Sequence, residues 1–129
     1  KNIFFLQATS PVRHKNSLKN AYKLFTKNKL DSLFSGNDNH NIFFRWTMKK
    51  NAVVPNYNYK SRPRRQKIQI PIVENGSFYI FNCQKFKRYK NRLFDKIGYF
   101  KQSLLESFQV DDKNDFHLVN LILKNQKLK

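Results

Sequence analysis

Apolar positions along this chain fall into short runs and one-sided stripes. Ile3 to Leu6 is a continuous apolar run that ends in Gln7-Ala8-Thr9-Ser10-Pro11-Val12-Arg13. Runs of this length closed by turn residues fit strands buried in a parallel sheet. Between Asn16 and Asn28, Leu18, Ala21, Tyr22 and Phe25 stand at i, i+3, i+4 and i+7, the spacing of an amphipathic helix, with Ser10 or Asn16 as candidate caps. Asp31 to Ser35 reads as the next strand, closed by the loop Gly36-Asn37-Asp38-Asn39-His40. Strand, helix and strand at this spacing make a βαβ unit, so the fold class is α/β.

From Asn41 to Tyr59 the pattern changes. Phe43, Phe44, Trp46, Val53 and Val54 lie among Lys and Asn, and Pro55 interrupts them. This reads as an excursion of strands and loops outside the main sheet. Further on, Glu74-Asn75-Gly76-Ser77 reads as a turn feeding the β-rich Phe78-Tyr79-Ile80. Asn82 to Tyr89 reads as a short helix, Phe94 to Tyr99 as a turn, and Ser107 to Asp111 as an extended run. The spacing of Phe116, Val119, Ile122 and Leu123 predicts a well-buried helix over Asn114 to Lys124. Asp111, Asp112 and Asp115 at its start favour the helix dipole.

Composition narrows the class. With 129 residues and 40% hydrophobic content including thirteen Phe, the chain is one globular domain or part of one. The net charge of +18 points first to a polyanionic or phosphorylated partner. Nineteen of the twenty-six basic residues are Lys, spread along the whole length beside sixteen Asn, which is the bias of an AT-rich coding sequence more than a groove-directed stripe. The single Cys83 excludes an intramolecular disulfide and a cysteine zinc set, and fits a reducing compartment. No apolar run approaches the roughly 20 residues that span a bilayer.

Familiar catalytic patterns are missing. His14, His40 and His117 lack metal-ligand spacing, and three Gly form neither GxGxxG nor a Walker loop. No GxSxG elbow supports a serine triad. What remains is Arg62-Pro63-Arg64-Arg65-Gln66, three guanidiniums and an amide around one proline. A guanidinium pairs bidentately with carboxylate or phosphate, so the stretch is an anion site or else a solvated basic surface.

At these residues the chain resembles a family, the acylneuraminate cytidylyltransferases. Gln7 to Arg13 resembles the family's LQPTSPLR strand end, and Asp31 to Ser35 with His40 and Phe43 to Trp46 resembles its DSVFSV…H.F.WR segment. Arg62 to Gln66 and Glu74 to Ile80 are similar to RPRRQ and ENGSFYI. Asn91-Arg92-Leu93 with Lys96-Ile97-Gly98 resembles NRxGGKIG, and Ser107 to Asp111 with Asp115-Phe116 sits where SxDIDxxxDF belongs. The motifs keep the family's order over nearly the whole chain.

The resemblance implies a Rossmann-like nucleotidyltransferase sheet, with the excursion at about residues 41–61 serving dimerisation. It implies a cytoplasmic homodimer that joins CTP to an acidic nine-carbon sugar with Mg²⁺, giving the CMP-sugar and pyrophosphate for surface glycan synthesis. On this basis Arg62, Arg65 and Gln66 bind the acid sugar, Gln7 contacts sugar or nucleotide, and Asp111 is the metal ligand and catalytic carboxylate. Asn75 is a further substrate-binding candidate, with a plain turn as the alternative.

Two positions depart from the pattern. Gln109 replaces the first metal aspartate, bringing a coordinating amide oxygen but no charge. Phe94-Asp95 replaces a Gly-Gly. The family's N-terminal strand and RxGSKxxxxKN loop would lie before Lys1, so residues 1–129 are expected to cover roughly the C-terminal two-thirds of the domain and to turn over poorly alone. The competing reading is a basic, non-enzymatic nucleic-acid binder, with Tyr57 and Tyr59 among Arg and Lys as stacking surfaces.

Overall fold

The computed structural model describes residues 1–39 and 43–125; His40 and the first two residues of the excursion lie outside the described residues. Lys1–Asn37 with Glu74–Lys129 form one compact unit, and Asp38–Val73 form a second.

The first unit is built on a mixed sheet. Its strands are β1 (Asn2–Leu6), β2 (Ser32–Asp38), which ends at the first residue of the second unit, and, in chain order after two further strands, β5 (Ile72–Asn82) and β6 (Ile97–Lys101). They are hydrogen-bonded in the order β1-β5-β2-β6. β1 runs antiparallel to β5, with Asn2 opposite Asn82 and Leu6 opposite Phe78, while β2 runs parallel to β6 from Ser32–Ile97 to Gly36–Lys101.

β5 is the strand on which both cores are built, because successive side chains of a strand point to opposite faces. Phe78 and Ile80 meet Ala21, Phe25 and Leu33 on one face. Tyr79 and Phe81 meet Phe94 on the other, backed by Ile3, Phe34, Phe86 and Leu93. Each large side chain so withdrawn from water contributes about 1.5–3 kcal/mol.

The helices largely follow the apolar spacing. α1 (Ser17–Lys27) buries Ala21 and Phe25 as the stripe predicts. Neither candidate cap acts: Asn16 occupies the cap position without a side-chain bond, and the Ser10 hydroxyl is buried without a partner. α2 (Cys83–Tyr89) is capped by Asn82, whose Oδ1 accepts from the Gln84 and Lys85 N–H groups. α3 (Lys113–Asn125) begins with a reciprocal cap. Asp112 Oδ1 accepts from Asp115 N–H at 2.9 Å, and Asp115 Oδ2 accepts from Asp112 N–H at 3.1 Å.

Six expectations need correction. The turn read from Phe94 to Tyr99 ends at Lys96, because Ile97–Lys101 is β6. β1 is an antiparallel edge strand, with Phe4, Phe5 and Leu6 about 40% exposed; an apolar run carries no information about strand direction. β2 continues to Asp38 where a loop was expected from Gly36. Glu74 to Ser77 lies inside β5 and is not a turn; Gly76 takes φ +68° there and distorts the strand without ending it. Ser107 to Asp111 is not one extended run, because Leu105–Ser107 forms a 3₁₀ turn and irregular chain follows. α3 buries only Val119, leaving Phe116, Leu118 and Leu121 exposed.

The second unit carries a hairpin of β3 (Trp46–Lys49) and β4 (Ala52–Pro55), paired antiparallel from Trp46–Pro55 to Lys49–Ala52. Asn56 closes its base, accepting from Arg45 N–H at 2.9 Å and donating to the Phe43 carbonyl at 2.7 Å. Two 3₁₀ turns follow, Tyr59–Ser61 and Arg65–Lys67. Among the described residues this stretch thus holds a two-stranded hairpin and two 3₁₀ turns outside the four-stranded sheet.

Candidate functional site

In the first unit, a buried polar network joins the ends of several strands. Asn75 is its hub. The Asn75 Oδ1 accepts from Ser35 Oγ at 2.7 Å and from Ser77 N–H at 3.2 Å. Its Nδ2 donates to Gln102 Oε1 at 2.9 Å and Ser107 Oγ at 3.0 Å. Gln102 directly follows β6; its N–H donates to the Gly36 carbonyl at 2.7 Å, and its Nε2 donates to Glu106 Oε1 at 3.2 Å.

Glu106 ends the network and is 4% exposed. Its Oε1 also accepts from His14 N–H and Ser17 Oγ, and its Oε2 accepts from the N–H and Oγ of Ser103. Burial pushes this carboxyl up, but the Ser103 and His14 N–H groups, with the Ser103 and Ser17 hydroxyls, outweigh it and hold the pKa below the ordinary value. The acid thus serves the chain entering α1, where capping side chains were expected.

Three predicted site residues meet at the Gly76 distortion. Gln7 directly follows β1, and its N–H donates to the Ser77 carbonyl at 3.2 Å. A Cβ on Gly76 would lie 2.7 Å from Gln7 Oε1 and 2.9 Å from Gln109 Nε2, so the two amides converge over a space only glycine leaves open. Gln109 Nε2 donates to the Asn75 carbonyl. Asn75 itself is 6% exposed, and its amide groups are all engaged within the chain, so it acts by holding this arrangement and has no side-chain group directed to a substrate.

Asp111 follows on the same segment, which Val110 anchors through its N–H to the Thr9 carbonyl at 2.8 Å. The Asp111 N–H donates to Asp115 Oδ2 at 3.1 Å. Among the described residues, no three of His, Cys, Asp and Glu gather as a metal cage. A single carboxylate with an amide oxygen nearby in sequence fits Mg²⁺, which takes one or two carboxylates and completes its shell with phosphates and water.

Sequence reasoning missed two residues here. Glu106 is one of eight acids in a chain with twenty-six bases, and nothing in its local sequence set it apart, since the adjoining Leu104 and Leu105 are exposed. Arg13 donates through Nη2 to Ser77 Oγ at 3.0 Å and to the Ser77 carbonyl at 3.1 Å. Burial lowers its pKa and the Glu106 charge opposes that.

In the second unit, Arg62, Pro63, Arg64, Arg65, Gln66 and Phe44 line a cavity of about 420 Å³. The Arg62 guanidinium lies 4.1 Å from the centre of the Phe44 ring, a cation–π contact that fixes its plane. Arg62, Arg64, Arg65 and Gln66 are all solvent-exposed around this opening, so the stretch lies on the surface with its guanidiniums free to pair with an anion.

The architecture is that of a mixed α/β protein with a buried polar cluster on its sheet and, in a separate unit, an exposed cluster of guanidiniums. No family model matches the chain. Over 91 residues it is 40% identical to a protein of Oncorhynchus mykiss named N-acylneuraminate cytidylyltransferase, a match covering 67% of this chain and 21% of that relative. Over 79 residues it is 43% identical to N-acylneuraminate cytidylyltransferase A of Danio rerio, covering 57% and 18%. The chain belongs with the acylneuraminate cytidylyltransferases, a family of enzymes, and its aligned part spans about a fifth of the length of these curated relatives.

Glu106 gives a pH dependence. Its folded pKa lies below the ordinary 4.5, so its stabilisation is complete above about pH 4.5 and is lost as pH falls through the depressed value. Glu106→Gln should cost on the order of 1.5–3 kcal/mol at neutral pH. It should also flatten the decline of stability on acidification, as read from urea unfolding across the acid range. An unchanged acid slope in the variant would contradict this role.

Proposed function

We propose that this protein serves nucleotidyl transfer from CTP to a nonulosonic acid of the sialic type, giving the CMP-sugar and pyrophosphate for surface glycan synthesis. The observation that carries the reading is the guanidinium cavity of Arg62, Arg64, Arg65 and Gln66, in a chain 40% identical over 91 residues to a named N-acylneuraminate cytidylyltransferase. In the reaction, the sugar's anomeric oxygen attacks the α-phosphorus in line. The bond from that phosphorus to the pyrophosphate oxygen breaks, and the hydroxyl proton passes to solvent.

Arg62, Arg65 and Gln66 take the sugar's carboxylate, Arg65 through its bidentate fork. Gln7 offers its amide at the end of β1, the strand end where α/β sheets receive ligands. Asp111 would hold Mg²⁺, and Gln109 would offer its Oε1 as a neutral second donor. Bound Mg²⁺ neutralises the phosphates' charge. Gln109 Nε2 is engaged with the Asn75 carbonyl, so only its oxygen is open to a metal. The sheet is read as a Rossmann-like nucleotidyltransferase sheet, of which β2 and β6 supply a parallel pair. No helix among the described residues is long and apolar enough to cross a membrane; the proposed site of action is the cytoplasm, where the single Cys83 fits a reducing compartment.

The protein acts as a homodimer through the β3–β4 hairpin. Trp46, Met48, Val53 and Val54 are exposed there, with Met48 at 68%, and Tyr59 is exposed in the 3₁₀ turn that follows. Large exposed apolar and aromatic side chains on one short hairpin support a protein interface.

Pyrophosphate release with CTP, Mg²⁺ and a panel of nonulosonic acids tests the reaction. Arg65→Lys should raise the sugar KM about tenfold or more and change the CTP KM by less than about twofold, because Lys lacks the planar fork. No turnover with any acid, or equal damage to both constants, would count against the assignment. Sedimentation tests the dimer: Trp46→Lys with Met48→Lys should give a monomer, and a dimer that survives both places the interface elsewhere.

A further inference from the structure

The second unit, Asp38 to Val73, contains eight Lys and Arg residues and one acid, Asp38. Four of the eight, Arg62, Arg64, Arg65 and Lys67, fall within six residues and lie exposed on the surface. Beside them runs an apolar groove of about 570 Å³, lined mainly by Phe43, Pro63, Ile68, Ile70, Pro71 and Ile72. Ile70 and Ile72 are 38% and 49% exposed there. A sugar carboxylate held by the cations leaves this aliphatic surface without a role.

The groove adjoins the guanidinium cavity. Pro63 lines both. Arg65 lines the cavity and also a narrow crevice formed with Phe43, Ile68, Ile70 and Pro71. Phe43 of the groove meets Phe44 of the cavity edge to face, with ring centres 5.2 Å apart. The 3₁₀ turn Arg65–Lys67 fixes the junction: Lys67 N–H donates to the Arg64 carbonyl at 2.9 Å, and Ile68 N–H donates to the Arg65 carbonyl at 3.2 Å. Cations and the first Ile are therefore held one tight turn apart.

We propose that this junction binds a medium-chain aliphatic carboxylate. Arg65 forks onto the carboxylate, Arg62 and Arg64 add positive field, and the tail lies along Ile68, Ile70 and Ile72. The stretch from Ile68 to Ile72 spans at most about 14 Å, room for an eight-carbon acid. Two terms select this occupant. An exposed guanidinium alone gains little from a small anion in water, whereas each methylene laid in the groove tightens binding about two- to fourfold. The local excess of eight bases over one acid favours an anionic head over a neutral or cationic one. The carboxylate takes the guanidiniums given above to the sugar acid, so a tailed acid competes with the sugar.

The probes are butanoate, hexanoate and octanoate, titrated into the intact chain below the concentration at which octanoate forms micelles, with octylammonium as the control of opposite charge. Affinity should rise about two- to fourfold per methylene from butanoate to octanoate, and octylammonium should bind about tenfold or more weakly than octanoate. Octanoate should shift the methyl NMR signals of Ile68, Ile70 and Ile72. Ile70→Asn should remove the dependence on tail length, and Arg65→Gln should weaken every acid about threefold or more. Both positions are exposed; if either variant fails to fold, the methyl shifts in the native chain decide. Equal affinity for the three acids, octylammonium bound as tightly as octanoate, or octanoate binding that leaves the three Ile signals in place would overturn the proposal. So would octanoate binding unchanged in Ile70→Asn. Binding is read without CTP or sugar, so its failure is distinct from failure of the transfer reaction.

Discussion

The side chain of Asn75 is a primary amide withdrawn from water at the centre of the first unit. A buried amide without partners costs several kcal/mol, so the chain around it must supply them in fixed places. Ser35 of β2, Gln102 after β6, Ser107 and the N–H of Ser77 do so. Ser35 and the Gln102–Ser107 segment come from parts of the sequence remote from β5, and each must be in register for the set to close. The same set holds the Gly76 distortion under Gln7 and Gln109. Glu106 extends it to the entry of α1 through Ser17 and His14. Fold and candidate site in this unit therefore share one hydrogen-bonded support.

Much of this was legible in the sequence where the signal is local. The stripe of Leu18, Ala21, Tyr22 and Phe25 gave α1, and Asn82 before Cys83 marks the start of α2. The basic cavity was legible because Arg62 to Gln66 is contiguous. Strand direction was not, since an apolar run such as Ile3 to Leu6 fits either sense. The Glu106 network was not legible either. Its partners lie up to 92 residues away, and a single acid paired at that distance leaves no periodic trace.

The two departures from the family pattern have physical accounts. Asp95 adopts φ +48°, a left-handed conformation that Asp tolerates better than most residues, and its carboxylate is held by Lys85 and Tyr89 at 2.8 Å each. Phe94 is 5% exposed and stacks on Tyr89, filling the second core. Asp95 thus takes a left-handed backbone conformation of the kind glycine adopts freely. Gln109 uses an N–H donor toward the Asn75 carbonyl, which a carboxylate could not do without repulsion between oxygens. Its amide thereby fastens the chain at the Gly76 distortion.

The dependence of the site on the Asn75 hub can be read from native-state hydrogen exchange in Asn75→Ala at the amides of Ser77 and Phe78. Ser77 N–H donates to Asn75 Oδ1, and Phe78 N–H donates to Ser35 Oγ, which Asn75 orients. Exchange at both should accelerate at least about tenfold, while the α1 amides from Ala21 to Phe25 keep most of their protection. Unchanged exchange at Ser77 and Phe78 would show that the strand holds this geometry without the hub, and would contradict the account.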